Sequence, residues 1–214
     1  GIYSMIKIDI ISDAVCPWCY IGKNRLNKAI KNFTDTEFDI YWHPFQLNPE
    51  MPQEGIDRQL YLSSKFGGAE RANHIYNQIK LAGETSGISF EFDKIHTMPN
   101  SLNAHVLIEY SKNISKQNII AEELFKLFFI DGKNIGDLNI LKEVAKNYSI
   151  DIFENKNIKI KKKTEDIVKN SDIVSRSKGI SGVPFFIINE TYAISGAQEN
   201  EVFEKVFETC LVNS

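Results

Sequence analysis

Val15-Cys16-Pro17-Trp18-Cys19-Tyr20 sets two cysteines around a Pro-Trp pair, directly after the apolar run Met5-Ile6-Lys7-Ile8-Asp9-Ile10-Ile11. That run is rich in branched residues and has the length of a buried strand. On the other side, Leu26, Ile30 and Phe33 recur at helical spacing, which predicts a helix from Pro17 through Phe33. The cysteine pair therefore stands where a strand ends and a helix begins. Pro17 suits the first helical turn, because its missing N–H would have no intrahelical partner there. At such a place the free N–H groups and the positive end of the helix dipole favour a thiolate over a thiol. Redox chemistry needs this: one accessible sulfur that attacks, and a second close enough to displace what the first has captured.

Other uses of two cysteines fit less well. A structural zinc needs four ligands, commonly two such pairs. Only Cys210 and the scattered His43, His74, His96 and His105 remain, and none forms a second pair, so no metal site is expected. A structural disulfide closing so short a loop would constrain little of the unfolded chain. Cys210 falls within an apolar helical stripe and reads as a buried, unreactive thiol.

The chain has 214 residues, enough for one large domain or a domain with a sizeable insertion. A hydrophobic fraction of 43% and a charged fraction of 25% are ordinary for a globular protein. The net charge of −3 argues against nucleic acid or an anionic membrane as the main partner. The one basic run, Lys159 to Lys163, opens a helix-like segment and reads as a solvated face. Nothing resembles a signal peptide, and no apolar run is long enough to span a bilayer. Gly1-Ile2-Tyr3-Ser4 reads as an expression scar with Met5 as the natural start. A cytoplasmic protein is then expected, in which a Cys-x-x-Cys pair is catalytic or redox-sensing.

Further along, Phe38-Asp39-Ile40-Tyr41-Trp42 predicts a second strand, and the three prolines between Pro44 and Pro52 an ordered connector or boundary. Helices are expected over 56–66 and 69–82, a loop over 88–92, and further helices over 101–111 and around Ile119, Ile120, Leu124, Leu127 and Phe128. Asp137 is the expected N-cap of the helix carrying Ile140, Leu141 and Val144. A long helix over 159–177 leads to Gly179-Ile180-Ser181-Gly182-Val183-Pro184-Phe185-Phe186-Ile187-Ile188-Asn189, where two glycines and a proline precede an apolar strand. Asn189-Glu190 reads as a tight turn, Thr191 to Ser195 as its hairpin partner, and Glu199 to Leu211 as a closing helix. This order is that of an α/β, thioredoxin-like fold interrupted by a large all-helical insertion. Residues 1–52 and 149–214 would form the thioredoxin part and 53–148 the insertion. In that fold Pro184, opening the third strand, lies against the cysteine pair.

Ser12 through Gly22, containing Cys-Pro-Trp-Cys, closely resembles the active-site signature of the DsbA-like thioredoxin superfamily, specifically its FrnE-like branch. The likeness continues through 44–49, 99–105, 123–125, 131–135, the Gly-Val-Pro-Phe-Phe piece at 182–186, and 195–198. It implies a thiol–disulfide oxidoreductase with Cys16 as exposed nucleophile and Cys19 as resolving thiol, supported by Pro17, Trp18, Asp13, Val183 and Pro184. It implies a cis Val183–Pro184 bond, with the Val183 backbone pairing an extended substrate segment. It also implies a groove bordered by the insertion, with Asn100, His105 and Phe185 as candidate lining residues. His43 stands where this branch has an arginine. No resident cofactor is expected beyond the redox-active pair itself, although a low-molecular-weight thiol can serve as co-substrate. The substrate would be a protein or small-molecule disulfide or dithiol. Two rivals accompany this reading. One is a glutathione-type transferase or 2-hydroxychromene-2-carboxylate isomerase, families of the same fold in which serine replaces the nucleophilic cysteine. The other is a chaperone-like binding groove with an incidental cysteine pair.

Overall fold

A computed structural model describes residues 4–213. Residues 1–3 of the expected scar lie outside the described residues, whereas Ser4 opens the first strand. β1 (Ser4–Ser12) runs through the sheet interior, parallel to β2 (Thr36–Pro44) on one side and antiparallel to β5 (Phe185–Ile188) on the other. β6 (Tyr192–Ser195) completes the order β2-β1-β5-β6. A strand buried on both faces reads as a continuous apolar run, and Ile6, Ile8, Ile10 and Ile11 are all fully buried. The β5–β6 turn falls on Asn189 and Glu190, both with positive φ (50° and 56°), the geometry that two-residue hairpins prefer. The Asn189 side chain accepts the backbone N–H of Lys7 at 2.8 Å and so ties the turn to β1.

α1 (Pro17–Ile30) and α8 (Asn200–Val212) cover the face of the sheet that carries Ile10 and Phe186, while α7 (Ile158–Ser177) covers the opposite face. α1 ends at Ile30, short of Phe33; Phe33 has left the helix and packs its ring edge-on against Phe207 at 5.3 Å. Gly22 marks where α1 meets β5. A Cβ there would stand 3.1 Å from Pro184 Cγ and 3.2 Å from the Phe186 ring.

The insertion holds β3 (Ile56–Asp57), α2 (Arg58–Phe66), α3 (Ala69–Thr85), β4 (Thr97–Met98), α4 (Leu102–Ser111), α5 (Gln117–Phe129) and α6 (Leu138–Asn147). It is not all-helical. Ile56 and Asp57, expected to begin a helix, pair instead with Met98 and Thr97, and Asp57 becomes the N-cap by accepting the Leu60 N–H at 3.1 Å. Asp137 caps α6 as expected, accepting the Asn139 N–H at 2.8 Å. Nor is the insertion a separate body. α4 and α5 pack on β2, and one continuous apolar cluster runs from Ile6 and Ile10 through Tyr20 and Trp42 to Phe125, Phe129 and Leu141. Tyr20 stacks on Phe125 at 5.0 Å, joining α1 to α5, and Trp42 meets the same ring at 6.1 Å.

Candidate active site

Strand β1 delivers Ser12 and Asp13 to the edge of the sheet, and a tight turn follows in which the Cys16 N–H donates to the Asp13 carbonyl at 3.1 Å. Cys16 is the N-cap residue of α1, with extended backbone (φ −99°, ψ 114°) and Pro17 directly inside the helix. Its Sγ faces the Val183 carbonyl at 3.8 Å, across a separation of 167 residues. The Val183–Pro184 peptide bond is cis. Pro184 is buried, packs close to Gly22 and accepts the Gly196 N–H at 2.9 Å. The two informative stretches of the sequence therefore meet at one place.

One feature of the pair departs from the sequence reading. Cys16 was expected to be exposed, but only 4% of it is accessible, as a member of the large apolar cluster that fills the interior. Trp18, between the cysteines, is the exposed member at 38%. Cys19 is fully enclosed. Burial pushes its thiol well above the usual range, its hydrogen bond to Cys16 and the charge there add to this, and Ser12 and the Asp13 N–H offset part of it.

Asp13 is fully buried, and its carboxylate is fully used. Oδ2 accepts the Leu47 N–H at 2.8 Å and Oδ1 meets His105 Nε2 at 2.9 Å. His105, a candidate lining residue, thus lies beneath the site rather than on its wall. A water-sized cavity of about 10 Å³ is lined by Ser12, Ala14, Pro44, His105 and Phe125. Asn100 is likewise spent on structure, donating to the Met51 carbonyl at 2.7 Å and accepting the Leu102 N–H at 2.8 Å. Phe185 points to the α7 face with Ile11, Phe45 and Ile180, because its neighbour Phe186 takes the α1 face. Strand alternation separates the two. Asp9 lies on the α7 face for the same reason, where His43 Nε2 meets it at 2.7 Å and Lys7 at 3.5 Å. His43 is therefore the partner of Asp9.

The connector 44–52 is ordered by these acids. Phe45 donates to the Ser12 carbonyl at 3.0 Å, Gln46 to Asp172 at 3.0 Å, and Arg176 lies 4.0 Å above the Phe45 ring. Ser12 opens the signature read from the sequence but has no role there; in the structure its side chain hydrogen-bonds Cys19. Cys210 is buried, and burial raises its thiol, as expected of a packing residue. No group of three or more metal-ligating side chains occurs among the described residues.

The chain is similar to known proteins. The protein YwbO of Bacillus subtilis, itself uncharacterised, is 27% identical over 201 residues, spanning 94% of each chain. The crystal structure of a probable DsbA oxidoreductase, SCO1869 from Streptomyces coelicolor, superposes with a TM-score of 0.84 at 23% identity, covering 98% of this chain and 91% of that one. The cytosolic disulfide reductase DsbM from Pseudomonas aeruginosa superposes at 0.68 with 13% identity, covering 97% and 100%. At these identities the two structures speak for the fold. The model of the DSBA-like thioredoxin domain matches residues 7–208, nearly the whole chain, and the protein accordingly belongs to the DsbA-like thioredoxin family.

Proposed function

We propose that this protein is a thiol–disulfide oxidoreductase that acts by mixed-disulfide exchange through Cys16 and Cys19. The observation that carries the reading is the seating of Cys16 at the first turn of α1, 3.8 Å from the Val183 carbonyl, with an enclosed Cys19 behind it. The Cys16 thiolate attacks one sulfur of a substrate disulfide. That S–S bond breaks, and the departing sulfur leaves as a thiolate with the bonding pair. Cys19, once deprotonated, attacks Cys16 in the mixed disulfide and releases the second substrate thiolate. The protein ends with a Cys16–Cys19 bridge and the substrate two electrons richer; the reverse sequence oxidises a dithiol. Pro17 and Trp18 shape the turn, and the Val183 backbone offers a carbonyl to an extended substrate segment. No metal enters these steps.

Keeping both Cys16 and Cys19 favours this reading over a glutathione-type transferase or isomerase, whose families place a serine at the nucleophile. Action in the cytoplasm, on a protein or small-molecule disulfide and with a low-molecular-weight thiol as co-substrate, belongs to the same proposal. So does membership of the FrnE-like branch. Among the described residues no helix is long and apolar enough to cross a membrane.

Substitution tests the reading directly. Cys16→Ser should abolish disulfide exchange, at least a hundredfold, while Cys19→Ser should accumulate mixed disulfides visible by mass spectrometry. Full activity in both variants would remove the proposal; client binding unchanged after loss of both cysteines would favour a binding module instead. The reduction potential of the pair then sets the direction of electron flow, since thioredoxin-like and DsbA-like values lie about 150 mV apart.

A further inference from the structure

Both acids of β1 and its following turn are committed elsewhere. Asp9 lies on the α7 face with His43, and the two Asp13 carboxylate oxygens hold the Leu47 N–H and His105 Nε2. Yet Cys19 is buried and must shed a proton to attack the mixed disulfide, at the moment when substrate occupies the Cys16 side. The proton therefore needs an inward way out.

The structure holds a route of that kind. The Ser12 hydroxyl and the Asp13 N–H both bond the Cys19 sulfur. Ser12 also forms part of the wall of the water-sized cavity, about 10 Å³, and His105 of α4 forms another part. A cavity of that size takes one water, to which a hydroxyl and a ring nitrogen offer polar partners. His105 is 4% accessible, and Asp13 occupies only one of its ring nitrogens. Nδ1 has no hydrogen bond among the described residues, yet it is not one of the fully enclosed polar atoms, so it borders open space. An ionised Asp13 accepts from Nε2–H, which leaves the lone pair of the neutral imidazole on Nδ1. A buried aspartate turns a histidine into a base in this way. The same cavity reaches the half-buried Glu109 of α4 and His43 of β2, while α5 closes it with Ala121 and Phe125. The charged pair of α7, the helix packed on α4, is Asp172 with Arg176, spent on each other at 2.6 Å.

We propose that this cavity is the proton exit of the resolving thiol, with His105 as the acceptor. The Cys19 S–H bond breaks as its proton goes to Ser12 Oγ, the Ser12 proton to the water, and a water proton to His105 Nδ1. The sulfur keeps the bonding pair as a thiolate and attacks Cys16, and the substrate thiolate departs. The imidazolium, held by Asp13, then returns its proton to solvent past Glu109 and His43. Ser12 touches the reacting sulfur; His105 and Asp13 act through it. The inference rests on Cys19 being the resolving thiol of the proposed exchange.

Single-turnover exchange with 4,4′-dithiodipyridine separates the two steps. One thiopyridone is released when Cys16 attacks and a second when Cys19 resolves the adduct, both followed by absorbance in stopped flow. In the unsubstituted protein the second rate should rise with pH until the imidazole is neutral and then level off. His105→Gln keeps a donor for Asp13 but takes up no proton, and should slow the second release about a hundredfold at pH 7. Its rate should keep climbing about tenfold per pH unit as hydroxide takes over, so that the gap closes in alkali. Ser12→Ala, which leaves the Asp13–His105 pair in place, should slow the second release too and carries the test if the first variant does not fold. A His105→Gln loss of equal size at every pH would make the residue a support for Asp13 alone and overturn the route, as would an undiminished second rate in Ser12→Ala. A first release with no second in the unsubstituted protein would remove the exchange reading and this inference together. A second release that ignores His105 removes the inference alone.

Discussion

Cys19 shows how a single buried atom sets the pH behaviour of the reduced protein. Its thiol is raised well above the usual range, first by burial and then by Cys16. A raised thiol binds its proton more tightly folded than unfolded, so its contribution to stability is complete below the unfolded value, about 8.5, and is lost as the pH climbs above that. Urea midpoints of the reduced protein should therefore fall between pH 8 and 10, and Cys19→Ala should flatten that fall; parallel slopes would sink the assignment. At this scale the sequence was readable where chemistry is local. Cys16, Pro17 and Cys19 declare themselves by spacing. The partnership of Asp13 with His105 spans 92 residues, and no periodicity links them. Strand parity, which sends Asp9 and Phe185 to the α7 face, depends on the register of β1 against β5.

At the scale of elements, α1 is held from two sides. Gly22 lets it lie against Pro184, and Lys23, on the same turn, reaches Glu122 of α5 at 2.8 Å with little solvent around it. Removing Lys23 leaves Glu122 with 27% of its side chain accessible and Lys126 at 3.9 Å, so the cost lies at or below the low end of the about 3–5 kcal/mol of a fully buried pair, whereas an apolar pair of similar volume restores much of it. Lys23→Met should thus lower the unfolding free energy by about 3 kcal/mol or less in denaturant titration, and Lys23→Met with Glu122→Leu by clearly less than that. A double variant as unstable as the sum of the singles would show that the pair is not coupled. The helices of the insertion were legible because Asn100 to Val183 contains no proline and carries clear apolar stripes. β3 and β4 were not, since two residues each are too short to show alternation.

In the whole molecule, the insertion and the sheet share one apolar interior, with Phe125 touching both Tyr20 of α1 and Trp42 of β2. Phe125→Ala should cost about 3–5 kcal/mol and lower one cooperative unfolding transition. Two separate transitions in calorimetry, only one of them shifted, would instead mean that the insertion melts by itself. The apolar cluster runs across the expected boundaries at 52 and 148, with Met51, Tyr61, Ala145 and Ile150 all part of it. The meeting of Cys16 with Val183, 167 residues apart, has a further consequence during synthesis. β1 cannot gain its antiparallel neighbour until residues 185–188 have left the ribosome, and chains emerge N-terminus first at about 5–20 residues per second. While the roughly 170 residues between the two segments are made, about ten to thirty seconds, the nascent chain carries both cysteines with no wall to face them. Emergence of residues 183–188 is therefore what brings this wall to the cysteines.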